Sequence, residues 1–250
     1  PYFEQRTAFE VVENIRERLK KENTIYPQVK EKDIFSDIIG HQDIKRIMKS
    51  MITSIFTKKT PVSILLDGSA GTAKSMFLKE IQKNFPEPQT YYIDGSKATK
   101  AGIFDVLMKD TENRIKILLI DEVEKLDIDH QEGLLTLIED GRIVQVQKNG
   151  TFDKKYDNLS VIAASNDKDS MLYPLLTRFY KIKIKDYSKA EFRSIGQIVL
   201  KPYGLDESVI NYIIDVVLKQ EGPNIRSLKQ IGKLCNNSVE MVNLLIENSG

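Results

Sequence analysis

Residues 65–76 read LLDGSAGTAKSM. An apolar run enters a loop of small residues and leaves it through a Lys-Ser pair. The stretch nearly fits the pattern G-x-x-x-x-G-K-[ST], in which loop N–H groups and the start of a helix wrap phosphate oxygens. Gly68, Lys74 and Ser75 stand where the pattern needs them, and Ala73 replaces the second glycine. On this reading Ser69, Ala70, Gly71, Thr72, Ala73 and Met76 complete a phosphate cradle. Lys74 reaches the β and γ phosphates, and the Ser75 hydroxyl binds Mg²⁺. Ala73 needs only a backbone conformation that alanine adopts, with room for one methyl. Taken alone, the stretch also suits an ordinary small-residue turn before a lysine-capped helix.

A second stretch separates these readings. Residues 115–126 read IKILLIDEVEKL, with Ile117, Leu118, Leu119 and Ile120 running into Asp121 and Glu122. The apolar run predicts a buried central strand, and two carboxylates at its end are costly without a cation or partner. A nucleotide gives each of them a role. Asp121 holds Mg²⁺ through its water shell, and Glu122 polarises the attacking water.

Similar short apolar runs recur at VSILLDG (62–68), TYYIDG (90–95), LSVIAASND (159–167) and YKIKIKD (180–186). Helical patterns separate most of them, which predicts an α/β fold with a parallel sheet covered on both faces. One helix is expected in residues 35–56, after a turn at Gly40, with Ile44, Ile47, Met48, Met51 and Ile55 on one face; another lies around residues 130–138. Asn149-Gly150 between alternating residues predicts an inserted antiparallel hairpin over residues 143–156, because such turn residues accept positive φ. From Ser188 onward no strand pattern appears, and residues 187–205, 206–222 and 224–248 read as helices. Near the start, residues 5–22 carry Phe9, Val12, Ile15 and Leu19 at helical spacing, and residues 23–33 read as a linker. The expected division is an N-terminal helix and linker (1–33), an α/β nucleotide-binding domain (34–186) and a helical lid (187–250).

Composition narrows the function classes. The chain has 250 residues, 41% hydrophobic and 29% charged, as in an ordinary globular protein. A net charge of +1 argues against a polybasic chain, so any nucleic-acid contact must come from local patches. One cysteine, Cys235, and two histidines, His41 and His130, argue against disulfides and zinc, and favour an intracellular (cytoplasmic) location. No apolar run spans a bilayer and no leader is visible, so no membrane association is expected. The first residue is Pro1 rather than Met, which is compatible with a trimmed chain and leaves room for a further N-terminal domain.

From about Phe35 onward the chain resembles an AAA+ ATPase, a P-loop NTPase of three-layer architecture. GSAGTAKS resembles the loop of the MCM replicative helicases, where alanine in this place is normal. FSDIIGHQDIK resembles the segment that brackets adenine in RuvB-like proteins, which implies adenine contacts from Ile39 and Gly40. AASND matches the sensor-1 motif, giving Asn166 the role of orienting water. PLLTRF resembles the arginine-finger motif, placing Arg178 on a neighbouring subunit's nucleotide. GPNIRSLKQI resembles the sensor-2 motif of a lid helix, placing Arg226 near the γ-phosphate. The resemblance thus implies Mg²⁺-dependent ATP hydrolysis in a ring, expected to be a homohexamer, with poor hydrolysis by an isolated subunit.

The hairpin resembles the pre-sensor-1 insertion of a clade that contains both DNA motors and protein remodellers. SKATKAG, with Lys97 and Lys100, resembles the corresponding MCM segment, and no aromatic grip lies between Gly95 and Gly102. The hairpin tip offers Lys148, Lys154 and Lys155 against Asp153. These lysines suit phosphate-backbone contact, so a DNA-directed motor is the expected function. A MoxR-like protein remodeller is the alternative, and a nucleotide-binding scaffold without turnover ranks last. The chain ends after the lid, without the winged helix that follows it in RuvB, which puts a dedicated Holliday-junction role in doubt. The N-terminal segment is a candidate contact for a protein partner.

Overall fold

The computed structural model describes residues 34–98, 102–147, 150–220 and 222–248. The expected N-terminal helix and linker therefore lie outside the described residues, as do Lys100 and Lys148.

Five short runs become the strands of one parallel sheet: β1 (Ser63–Asp67), β2 (Thr90–Asp94), β3 (Ile117–Asp121), β6 (Ser160–Ser165) and β7 (Tyr180–Lys183). Their order across the sheet is β2-β3-β6-β1-β7. Strands β1, β3 and β6 are buried almost throughout, which explains why they read as unbroken apolar runs rather than alternating ones. Alternate side chains still divide between two cores. Ile64, Leu66, Ile117, Leu119, Ile162 and Ala164 join the cluster under α1 (Gln42–Thr57) and α2 (Lys74–Asn84). Leu65, Leu118, Ile120, Val161 and Ala163 join the opposite cluster with α3 (Gly102–Lys109), α4 (Ile128–Asp140) and α5 (Tyr173–Arg178). In α1 the buried apolar face is Met48, Ile52, Ile55 and Phe56. Ile47, expected on that face, is 38% exposed, because the core-facing stripe lies one residue round the helix.

The hairpin forms from β4 (Arg142–Gln147) and β5 (Gly150–Lys155), antiparallel. Gln147 pairs with Gly150, so Gly150 begins β5 instead of closing the turn. Packing at the hairpin's base sets this register: Ile143 and Tyr156 are both 3% exposed. A slip of one residue would turn Ile143 outward.

Past β7, α6 (Lys189–Leu200), α7 (Glu207–Val217), α8 (Ile225–Leu234) and α9 (Val239–Glu247) enclose a third core, including Phe192, Ile213, Leu228 and Val242. The long helical stretch expected over 224–248 breaks at Asn236 and Asn237, which have φ of 47° and 59°. Asparagine tolerates this left-handed backbone better than most residues, and the Ser238 hydroxyl then caps α9 by accepting from Met241 N–H.

Among the described residues, no helix is long and apolar enough to cross a membrane.

Candidate functional site

The C-terminal ends of three adjacent strands meet at one place. The phosphate-loop sequence follows β1, Asp121 ends β3 with Glu122 directly after it, and Asn166 follows β6. A cleft of about 630 Å³ opens there, between the sheet's end and the C-terminal helices. Gly71, Ala73, Lys74, Ser75 and Met76 line it from the loop. Asp121, Glu122 and Asn166 line it from the strand ends, and Ile39 and Arg226 from either side. Sequence spacing links these residues only through motifs; tertiary packing puts them on one cavity wall.

The remaining loop residues build the loop rather than its lining. A Cβ on Gly68 would collide with the Ile184 carbonyl oxygen, so glycine is required there by close approach. The Ser69 hydroxyl bonds the Asp186 carboxylate, and the buried Thr72 hydroxyl donates to the Ser69 carbonyl at 2.8 Å. Ala70 is exposed. Lys74 is 5% exposed, and its ammonium donates to the Gly68 and Ser69 carbonyls, both at 2.6 Å. Burial lowers the Lys74 pKa from its ordinary value, opposed by the carboxylates of Glu124, Asp121 and Asp67.

Ala73 corrects an expectation. Its φ is 70° and ψ 9°, inside the left-handed region where glycine is favoured. The methyl fits, packed against the first core, but the backbone is strained by roughly 1–2 kcal/mol relative to ordinary alanine.

Glu122 is left-handed too, with φ 52° and ψ 49°. Such strain at a functional carboxylate needs support from its surroundings. The support comes from the end of β2. Gly95 N–H donates to the Asp121 carbonyl at 2.7 Å, and a Cβ on Gly95 would collide with the Glu122 carbonyl oxygen.

Two residues that the sequence reading missed hold the neighbouring polar groups. Tyr92 donates its phenolic O–H to Asp121 Oδ2 at 2.9 Å. Burial, and then the Asp121 carboxylate, raise the Tyr92 pKa well above its ordinary value, which keeps the donor proton in place. Glu124 is 8% exposed and accepts from Asn166 N–H at 3.1 Å and Asn166 Nδ2 at 3.4 Å. Two signals pointed to them: a tyrosine two residues before the end of an edge strand, and a third acid in DEVE.

The other missed wall is apolar. Tyr187, Ile195, Ile198 and Ile225 line the cleft from α6, α8 and the segment leading into them. Ile198 is 61% exposed, facing away from the helical core. Gly40 does not line the cleft; its φ is 70°, and a Cβ there would collide with Glu191 of α6. Gly40 thus shapes the contact between the segment before α1 and the lid. Beside it, the His41 ring lies 4.7 Å from that of Tyr187, and burial lowers the His41 pKa.

Arg178 does not reach the cleft. It ends α5 and pairs with Glu139 at 2.8 Å, both side chains nearly half exposed. Lys97 is 82% exposed and pairs with Asp94 at 2.9 Å. Lys154 departs from its expected place at the hairpin tip. It turns back from β5, donates to the Leu107 carbonyl at 2.6 Å and to the Asp110 carbonyl, and lies over the Tyr156 ring. Carbonyls at the C-terminal end of α3 attract a cation, so Lys154 is a structural lysine and not an outward contact.

The donor set suits a nucleotide with Mg²⁺. A serine hydroxyl and a carboxylate are hard oxygen ligands, and Mg²⁺ usually combines one or two such groups with substrate phosphates. Among the described residues, no group of three or more His, Cys, Asp or Glu is placed to hold a metal ion.

A parallel sheet of this order, with the phosphate loop after β1 and an acidic pair ending the neighbouring-but-one strand β3, defines a P-loop nucleotide-binding protein of the AAA+ class. The family model described as "MCM P-loop domain" matches residues 11–188, and the chain belongs to that family. It is 24% identical over 205 residues to DNA replication licensing factor MCM5 of Arabidopsis thaliana, covering 73% of this chain and 28% of that protein. It is 23% identical to DNA replication licensing factor mcm7 of Schizosaccharomyces pombe, covering 78% of this chain and 28% of that protein. The chain thus spans under a third of the length of these relatives. In fold it is similar to the Thermotoga maritima RuvB Holliday junction branch migration motor, with TM-score 0.63 and 16% identity over 89% of this chain and 72% of that one. It is also similar to domain III of the T. maritima replication initiation protein DnaA, with TM-score 0.60 and 17% identity over 87% and 97%.

Proposed function

We propose that this chain is the ATP-hydrolysing, Mg²⁺-dependent module of a ring motor that acts on DNA. The observation that carries the reading is the convergence of Lys74, Ser75, Asp121, Glu122, Asn166 and Arg226 on one cleft. Bound Mg²⁺ would neutralise developing phosphate charge, with Ser75 and Asp121 as its holders. Lys74 and the N–H groups at the start of α2 bind the phosphates. Glu122 accepts a hydrogen bond from the attacking water and polarises it, Asn166 orients that water, and Arg226 reaches the γ-phosphate from the lid. Ile39, Tyr187 and Ile198 supply an apolar seat for the adenine. The working units are residues 34–186 and the lid of 187–250, which share the cleft.

Arg178 has no role in its own chain's cleft, which supports action in trans on the nucleotide of a second copy in a homohexameric ring. Arginines that stabilise transferred phosphate in this way contribute on the order of 10³–10⁵ in rate. DNA as the cargo rests on the family and on Lys97, with Lys100 and Lys148 as further candidate contacts. Lys154 is withdrawn from that set. The exposed ion pair of Lys97 with Asp94 is easily exchanged for a phosphate.

The test is ATP turnover with single-stranded, duplex and branched DNA at two salt concentrations. DNA should stimulate turnover, and added salt should weaken the stimulation. Turnover indifferent to every DNA would sink the DNA assignment and favour a protein cargo. Absence of ATP binding would sink the whole reading.

A further inference from the structure

Strand β2 is an edge strand and contributes none of the motifs that mark the cleft. Its register with β3 nevertheless sets Asp94 beside Asp121 and Tyr92 beside Leu119, so Tyr92 lies two residues back along the sheet face that leads to Asp121. The phenol spans that gap and donates to Asp121 Oδ2 at 2.9 Å. The ring is half-buried against the first core, beside α2, which restricts its rotation. The bond occupies one carboxylate oxygen of Asp121 and leaves the other for the cleft.

We propose that Tyr92 is a positioning residue for Mg²⁺: its O–H fixes the rotamer of Asp121 so that the second carboxylate oxygen meets the metal's water shell. The inference rests on the nucleotide reading above, with Asp121 as the Mg²⁺ residue. Removing a donor to a direct metal ligand typically changes metal affinity by about 10–100-fold, and the lower end of that range applies to Tyr92, whose carboxylate partner acts through water. Its removal leaves the phosphate loop alone, since Tyr92 makes no bond to residues 68–76 among those described.

The test is binding of a fluorescent ATP analogue to the whole chain, first in EDTA and then with rising Mg²⁺, for wild type and Tyr92→Phe. Phenylalanine keeps the ring and its packing and removes only the hydroxyl. Tyr92→Phe should bind the analogue in EDTA within about twofold of wild type, and need about tenfold more Mg²⁺ for the half-maximal metal-dependent change. An unchanged Mg²⁺ midpoint overturns the positioning role and leaves the nucleotide reading standing. Equal loss of binding in EDTA and in Mg²⁺ also overturns it, because Tyr92 would then support the fold and not the metal. Failure of the wild-type chain to bind the analogue under either condition overturns both the inference and the nucleotide reading.

Discussion

The two ends of the cleft are built in different ways. At the phosphate end, polar groups come from the ends of β3 and β6 and from the loop after β1, and Lys74, Asp121, Glu122 and Asn166 are each held by a named bond or backbone contact. At the lid end, the wall is mostly apolar, with Arg226 and Lys229 beside the isoleucines, and comes from helices whose own core lies elsewhere, with Ile198 61% exposed. Most of the groups that need fixed geometry sit on the sheet, and most of the apolar contact area comes from the helical lid, which adds Arg226.

That contrast breaks most sharply at Gly95. Gly95→Ala drives a methyl into the Glu122 backbone, with no flexible side chain to absorb the clash. Hydrolysis should fall on the order of 10²-fold, because small displacements of a reacting group carry penalties of that size. Nucleotide binding should persist. Steady-state turnover beside analogue binding checks this, and turnover within about twofold of wild type would show that the sheet end does not position Glu122.

A smaller effect is expected at the lid. Ile198→Asp should weaken nucleotide binding by about fivefold to tenfold, the loss of roughly 1–1.5 kcal/mol of apolar contact. The melting temperature should hold, since the side chain lies outside the lid's own core. Titration and thermal unfolding together test it; unchanged affinity would remove the lid from base contact. The smallest effect is Ala73→Gly. Relief of the left-handed backbone should outweigh loss of a part-buried methyl, for a gain of about 0.5 kcal/mol in urea unfolding. A loss of stability would mean that the methyl's packing dominates.

The same contrast explains what the sequence made legible. The strand ends and the phosphate loop are local patterns, because buried parallel strands are continuous apolar runs and phosphate binding needs consecutive backbone groups. Lys74, Asp121, Glu122 and Asn166 were legible for that reason. Tyr92, Glu124 and Ile198 were not, since their significance comes from partners 29, 42 or more residues away or from a face turned off the core. Lys154 misled because a lysine near a turn looks solvated, and only the packed hairpin reveals helix carbonyls within its reach. Ala73 misled in a different sense. Composition allows alanine in the loop, but only the backbone shows that it sits in a conformation that favours glycine.

Lys74 gives the loop a further property. With its ammonium already pinned between the Gly68 and Ser69 carbonyls, the side chain has lost its rotamer freedom on folding, an entropy of roughly 1.5–2 kcal/mol for a lysine. An arriving phosphate therefore does not have to order a wandering side chain. It competes with two carbonyls for a cation already in place, so occupation of the loop is an exchange of partners whose balance is set by charge.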